Sequence, residues 1–235
     1  MKQRVWELDA FRGICILGMV IVHFVYDLVD LYGIIDWQYP AWFTLIKDCG
    51  FLFIVLSGIC ATLGSRSMRR GAIVLCCGLV ISAVTYGMYA LDYVSKGVII
   101  YFGVLHCLGA CMLLWPVFKK LPWQALLAIG ILFVALGFVV NPIRSDLKLL
   151  MPLGIRWSDF QSSDYFPLLP NLGYFLIGAA LGRTVYREKR SLFPNVQGNS
   201  GFFGFLSACG RQSLWIYMLH QPILSGICWL IMTIK

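Results

Sequence analysis

Charge is what this sequence has least of. Only 13% of its 235 residues are Asp, Glu, Lys or Arg, about half the quarter that a soluble domain carries. An unusually greasy soluble core is excluded as well, because apolar runs of about 20 residues, long enough to cross a bilayer, recur along the whole chain. The nine cysteines contain no C-x-x-C pair, and those within or beside apolar runs read as small apolar residues. Cys107 and Cys111 share a helical face, but two thiols without two further ligands do not make a zinc site. Neither disulfides nor a metal is expected. The first apolar run is not expected to be a cleavable leader: it is too long, carries charges and lacks an A-x-A-like site. No internal repeat is visible, which removes the inverted-repeat signature of many transporters.

What is there reads as one integral membrane domain, residues 1–235, with 60% hydrophobic residues and a mean hydropathy of +0.79. The expected architecture is an all-α bundle of about seven transmembrane helices, near 13–34, 41–63, 71–91, 98–118, 122–140, 168–184 and 211–233. The net charge of +8 is distributed by topology rather than as a nucleic-acid patch. Lys2, Arg4, Arg12, Arg66, Arg69, Arg70, Lys119, Lys120, Arg183, Arg187, Lys189, Arg190 and Arg211 all fall on one side, 13 of the 19 basic residues. The positive-inside rule makes that side cytoplasmic, with the amino end inside and the carboxyl end outside. Loop 33–40 holds Trp37 and Tyr39, just before Trp42, where interfacial aromatics sit. The segment 141–167 is too polar to cross and reads as a partly helical lid on the outer face. Gly178 and Gly182 form a G-x-x-x-G, for which close helix packing is the default explanation.

The first apolar stretch, residues 4–32, is the unusual one. It carries Asp9, Arg12, His23, Asp27 and Asp30, and each ionisable group in hydrocarbon costs at least a few kcal/mol unless it faces protein or water. His23 and Asp27 stand one turn apart on one helical face. Depth adds a second signal. At 1.5 Å per residue, His23 lies roughly 16 Å from Arg12, His106 about 12 Å from the start of its span and His220 about 13 Å from Arg211. In a hydrocarbon core of about 30 Å all three come out near the midplane. One such histidine reads as a buried imidazole bonded to a neighbour. Three at matched depth suggest a polar site.

A neutral imidazole there can take a proton from a hydroxyl or amine. A carboxylate such as Asp27 would orient the ring and stabilise the imidazolium, and buried dipoles could hold a developing oxyanion. Arginines at the cytoplasmic mouth would suit an anionic donor.

The stretches LDAFRGICILGMVIVHFVYDL, FLFIVLSGICATLG, GVLHCLGACMLL, DYFPLLPNLGYFLIGAALGR and GRQSLWIYMLHQPIL, in this order over nearly the whole chain, resemble the heparan-α-glucosaminide N-acetyltransferase catalytic-domain family, in particular its small bacterial members. The resemblance implies a multi-pass acyltransferase of the cell membrane, taking acetyl from cytoplasmic acetyl-CoA and delivering it to an extracytoplasmic sugar amine or hydroxyl. Lysosomal members place their catalytic histidine in the first extracytoplasmic loop. Here DWQYPAWFTLIKD has none and Tyr39 falls near its place, while the position of His23 is an asparagine in those enzymes. Either the base has moved to His23, or this branch has a different activity or none.

The roles expected on this reading are general base for His23, orienter for Asp27, and proton handling or oxyanion stabilisation for His106 and His220. Arg12 pairs with Asp9 or meets a CoA phosphate; Arg66, Arg70 and Arg183 are candidate phosphate contacts. Asp164 is a candidate acceptor contact or a helix-dipole partner. The partners expected are a small-molecule or glycan acceptor and the lipid bilayer, no nucleic acid is expected, and a homodimer is compatible with the sequence. Two other classes use midplane histidines: a b-haem membrane electron carrier with facing imidazole ligands, and a proton-coupled small-molecule transporter.

Overall fold

Long uncharged runs dictate helices, because a backbone in hydrocarbon must satisfy its own hydrogen bonds. A computed structural model describes residues 5–196 and 200–234, apart from the side chains of 45–48; Lys2 and Arg4 lie outside the described residues. Among those described, the chain is helical, with no strand beyond the isolated bridges Phe102–Tyr165 and Arg144–Arg156. The helices are α1 (Trp6–Tyr26), α2 (Ala41–Asp48), α3 (Phe51–Leu63), α4 (Ser67–Ala90), α5 (Val104–Phe118), α6 (Trp123–Val140), α7 (Leu168–Thr184), α8 (Gly201–Arg211) and α9 (Ser213–Ile234). A π-helical turn, Asp27–Leu31, extends α1. Among the described residues, four helices are long and apolar enough to cross a membrane: Trp6–Leu31, Ser67–Ala90, Trp123–Val140 and Ser213–Ile234.

Two differences from the expected spans have local causes. The run 41–63 is broken into α2 and α3 by a turn at Cys49 and Gly50, where glycine weakens helix propagation. In the run 98–118 the α-helix begins only at Val104, after Gly103 in extended geometry. The preceding backbone is held by side chains of α4: Ser82 Oγ donates to the Ile100 carbonyl at 2.5 Å, and Thr85 Oγ1 accepts the Ile100 N–H at 3.2 Å.

The chain falls into two compact units, residues 1–53 with 188–235, and residues 54–187. In the first, α8 lies so close along α1 that a Cβ on Gly13 would collide with the Leu206 carbonyl, and one on Gly210 with that of Asp9. The Glu7 carboxylate accepts from Ser191 Oγ at 2.8 Å and the Leu192 N–H at 2.7 Å, tying the loop before α8 to the start of α1. In the second unit, α7 crosses α3 at small residues, as the G-x-x-x-G spacing implied. A Cβ on Gly178 would collide with the Val55 carbonyl, and one on Gly182 would stand 2.5 Å from Thr62 Oγ1. Close approach of this kind lets dispersion contacts replace the hydrophobic drive that lipid does not provide.

Segment 141–167 contains one 3₁₀ turn, Lys148–Leu153, and is bonded to the stretch before α5. Lys96 Nζ meets Asp159 at 2.6 Å, Ser162 Oγ donates to the Ile99 carbonyl at 2.8 Å and Ser163 Oγ to that of Val98 at 3.0 Å. Tyr101, Trp157, Phe160 and Tyr165 stack into one aromatic cluster. Burial pushes the Tyr165 hydroxyl up to about 12, and it donates to the Met151 carbonyl at 2.7 Å.

Candidate functional site

The first unit gathers four polar side chains on two apolar helices. His23 and Asp27 come from one face of α1 and its π turn, and His220 and Gln221 are consecutive on α9. The imidazoles of His23 and His220 pack edge to face, with centroids 5.0 Å apart and planes at 85°. That geometry aims the edge of one ring at the face of the other, so the pair does not present two nitrogens to one iron between them. Both helices are irregular at this level. The π turn at Asp27–Leu31 widens α1, a feature that often accompanies functional sites. Pro222 inside α9 has no N–H to give to the carbonyl of Met218.

The hydrogen bonds assign the ring protons. His23 Nδ1 lies 2.9 Å from the Met19 carbonyl and His220 Nδ1 2.5 Å from that of Tyr217. A carbonyl only accepts, so in each ring Nδ1 carries the proton and Nε2 keeps the lone pair in the neutral form. His220 Nε2 is buried and, among the described residues, has no hydrogen-bond partner. Asp27 is fully buried, at 0% exposure, and both of its oxygens accept from Gln221 Nε2 at 2.9 Å. A carboxylate accepts only, so it turns the amide nitrogen of Gln221 toward itself. Gln221 Oε1 is buried and, among the described residues, unpaired. Asp27 therefore contacts Gln221, and the hydrogen bond of the His23 ring goes to Met19 rather than to the carboxylate expected as its orienter.

Of the other expected site residues, His106, Asp164, Arg12 and Arg183 have local structural partners. His106 lies in the second unit with both ring nitrogens engaged: Nδ1 accepts the Gly103 N–H at 3.2 Å, and Nε2 lies 3.2 Å from Ser82 Oγ. Its ring packs on Gly78, where a Cβ would stand 3.0 Å from Nδ1. It thus helps to start α5. Asp164 does so too, accepting the Val104 N–H at 3.0 Å, a favourable place for a carboxylate at a helix amino end. Arg12 is paired with Asp9 at 3.1 Å on α1. Arg183 donates to the carbonyls of Lys119 and Leu121, just past the end of α5, and its guanidinium lies 5.8 Å from the Trp115 ring centre. Arg66 and Arg70 are exposed near the start of α4.

Two features escaped the sequence reading. Gln221 had one signal, an amide flanked by His220 and Pro222 inside an otherwise apolar run. The other is a bond from Tyr39 Oη to Asp30 at 2.5 Å, inside a ring cluster with Trp37 and Phe43. Burial, and then the Asp30 carboxylate, push the Tyr39 hydroxyl above its ordinary range. Among the described residues no group of three or more His, Cys, Asp or Glu side chains could hold a metal ion.

In a comparison with known families, a model described as heparan-alpha-glucosaminide N-acetyltransferase, catalytic, matches residues 4–222. The matched range takes in His23, Asp27, His220 and Gln221, and ends at Pro222. No curated protein and no solved structure matches the chain.

Proposed function

The chain belongs to the heparan-α-glucosaminide N-acetyltransferase catalytic family, and from that premise we propose that it is a membrane-embedded acyltransferase whose chemistry is centred on the His23–His220 pair. The observation that carries this is the edge-to-face imidazole pair beside the fully buried Asp27. Ionisable groups in an apolar helix pair are costly, and they persist where they do chemistry. The donor on this reading is cytoplasmic acetyl-CoA and the acceptor an extracytoplasmic sugar amine or hydroxyl. The protein resides in the cell membrane as about seven passes, with the amino end inside and the carboxyl end outside. The bias of basic residues to one side supports that orientation.

Within the site, the histidine pair accepts the proton released when the acceptor attacks the thioester. The buried Asp27, fixed by Gln221, stabilises the resulting positive charge through the low-dielectric interior. On the basic side, Arg66 and Arg70, both exposed, meet the phosphates of CoA. Arg12 and Arg183, already bonded to Asp9 and to carbonyl groups, contribute by positive potential. His106 contributes by holding the start of α5.

The test is acetyl-CoA binding by the purified protein in mild detergent, followed by acyl transfer to sugar amines and hydroxyls. Specific binding that weakens in Arg66→Ala and Arg70→Ala, with transfer reduced about 10²–10⁴-fold in His23→Ala, is the expected outcome. A folded protein that ignores both CoA and acetyl-CoA contradicts the reading.

A further inference from the structure

The orphaned atoms of α9 allow a more specific assignment, which rests on the acyltransferase reading. Buried polar atoms without partners are rare in folded proteins. Here two occur on consecutive residues, His220 Nε2 and Gln221 Oε1. Every other polar atom of these side chains is committed: His220 Nδ1–H to the Tyr217 carbonyl, Gln221 Nε2 to both oxygens of Asp27. Both orphans are acceptors. What each lacks is an N–H or O–H, and no group of the described protein brings one.

We propose that His220, through Nε2, is the general base of the reaction, and that Gln221 Oε1 receives a hydrogen bond from the same substrate group. The Tyr217 carbonyl holds the tautomer that a base needs, with the lone pair on Nε2 and the proton on Nδ1, and it stabilises the imidazolium once Nε2 is protonated. His23, whose ring packs against His220 edge to face, is on this assignment a positioning residue. The acceptor nitrogen or oxygen bonds to the acyl carbon as its proton passes to His220 Nε2. The carbon–sulfur bond then breaks, and the same proton moves from Nε2 to the departing thiolate. Thioester plus amine or alcohol gives amide or ester plus thiol, and the base ends as it began.

The experiment uses the full chain in detergent, with acetyl-CoA as donor and glucosamine, which offers both an amine and hydroxyls, as acceptor. Formation of the acetylated sugar is read by mass spectrometry. His220→Ala should lower kcat about 10²–10⁴-fold with little change in the KM for acetyl-CoA. Added imidazole should restore part of that turnover, with a pH dependence that follows free imidazole. His220→Gln fills the space left in the alanine variant but offers no basic nitrogen. It should be equally slow, should not be rescued, and should lose the rise of kcat with pH that a histidine base should give the wild type. If His220→Ala does not fold, the pH profile of His220→Gln decides. Wild-type turnover with either variant fully active overturns the assignment and leaves the acyltransferase reading intact. So does a slow variant that imidazole does not restore and whose residual rate keeps the wild-type pH profile. Absence of any turnover by the folded wild type, with water, amines or hydroxyl acceptors, overturns the reading and this assignment together.

Discussion

Removing Gln221 should cost more stability than its size suggests, because among the described residues it alone hydrogen-bonds the side chain of Asp27, a carboxylate at 0% exposure. Hydrogen bonds to charged groups contribute about 1.5–3 kcal/mol each, and an orphaned buried charge adds its desolvation penalty. One amide nitrogen serves both Asp27 oxygens, so Gln221→Leu should lose about 2–4 kcal/mol. At roughly 2–4 °C per kcal/mol for a chain of this size, the melting temperature in detergent should fall by about 5–15 °C. Replacing both partners removes the unmet polarity along with the bond. Asp27→Leu combined with Gln221→Leu should therefore be more stable than the sum of the single changes predicts, by about 1–3 kcal/mol of coupling. The assay is a double-mutant cycle by thermal or denaturant unfolding in one detergent. Additive effects, or a Gln221→Leu protein as stable as the wild type, would refute the buried Asp27–Gln221 contact.

Three other outcomes follow from the packing and charges. Gly178→Leu drives a side chain into the Val55 carbonyl, and overpacking at such a crossing should destabilise by about 1–3 kcal/mol or more, read from the melting temperature. Arg183→Ala strips a guanidinium from the Lys119 and Leu121 carbonyls and should cost about 1–2 kcal/mol, whereas Arg66→Ala should leave the melting temperature unchanged. The Lys96–Asp159 bridge raises the lysine and lowers the aspartate, each mainly through the hydrogen bond to the other. The lowered carboxyl contributes above its usual value of about 4 and loses that contribution as pH falls. The raised ammonium contributes below about 10.4 and loses it as pH rises further. Protection of the backbone amides of residues 156–163, measured as exchange relative to the intrinsic rate at each pH, should therefore be greatest between those limits and fall on adding salt, with global stability barely altered because the pair is exposed.

Periodicity and run length made the helices legible, since a backbone in hydrocarbon has few alternatives. The same signal hides a break inside an apolar run, as at Cys49 and Gly50, because a turn there changes no hydropathy. It also passed over α8, whose eleven residues are too short to span and include three glycines. One of them, Gly210, is needed for the approach to α1. Depth along each helix is a single coordinate. It put His23, His220 and His106 at one level without distinguishing them, whereas the structure pairs the rings of the first two and commits the ring nitrogens of His106 to Gly103 and Ser82. The Arg12–Asp9 pair followed from spacing alone. The Asp27–Gln221 contact did not, because its partners are 194 residues apart and only tertiary packing brings them together.

The central claim is that the histidine pair moves an acyl group between the two sides of a membrane. Sealed vesicles with one uniform orientation of the protein, given labelled acetyl-CoA on the side of the basic loops and glucosamine on the other, test it most directly. Labelled acetyl-sugar should appear on the acceptor side, slowed about 10²–10⁴-fold in His220→Gln and strongly reduced in His23→Ala. Labelled product that forms equally in both variants would contradict it.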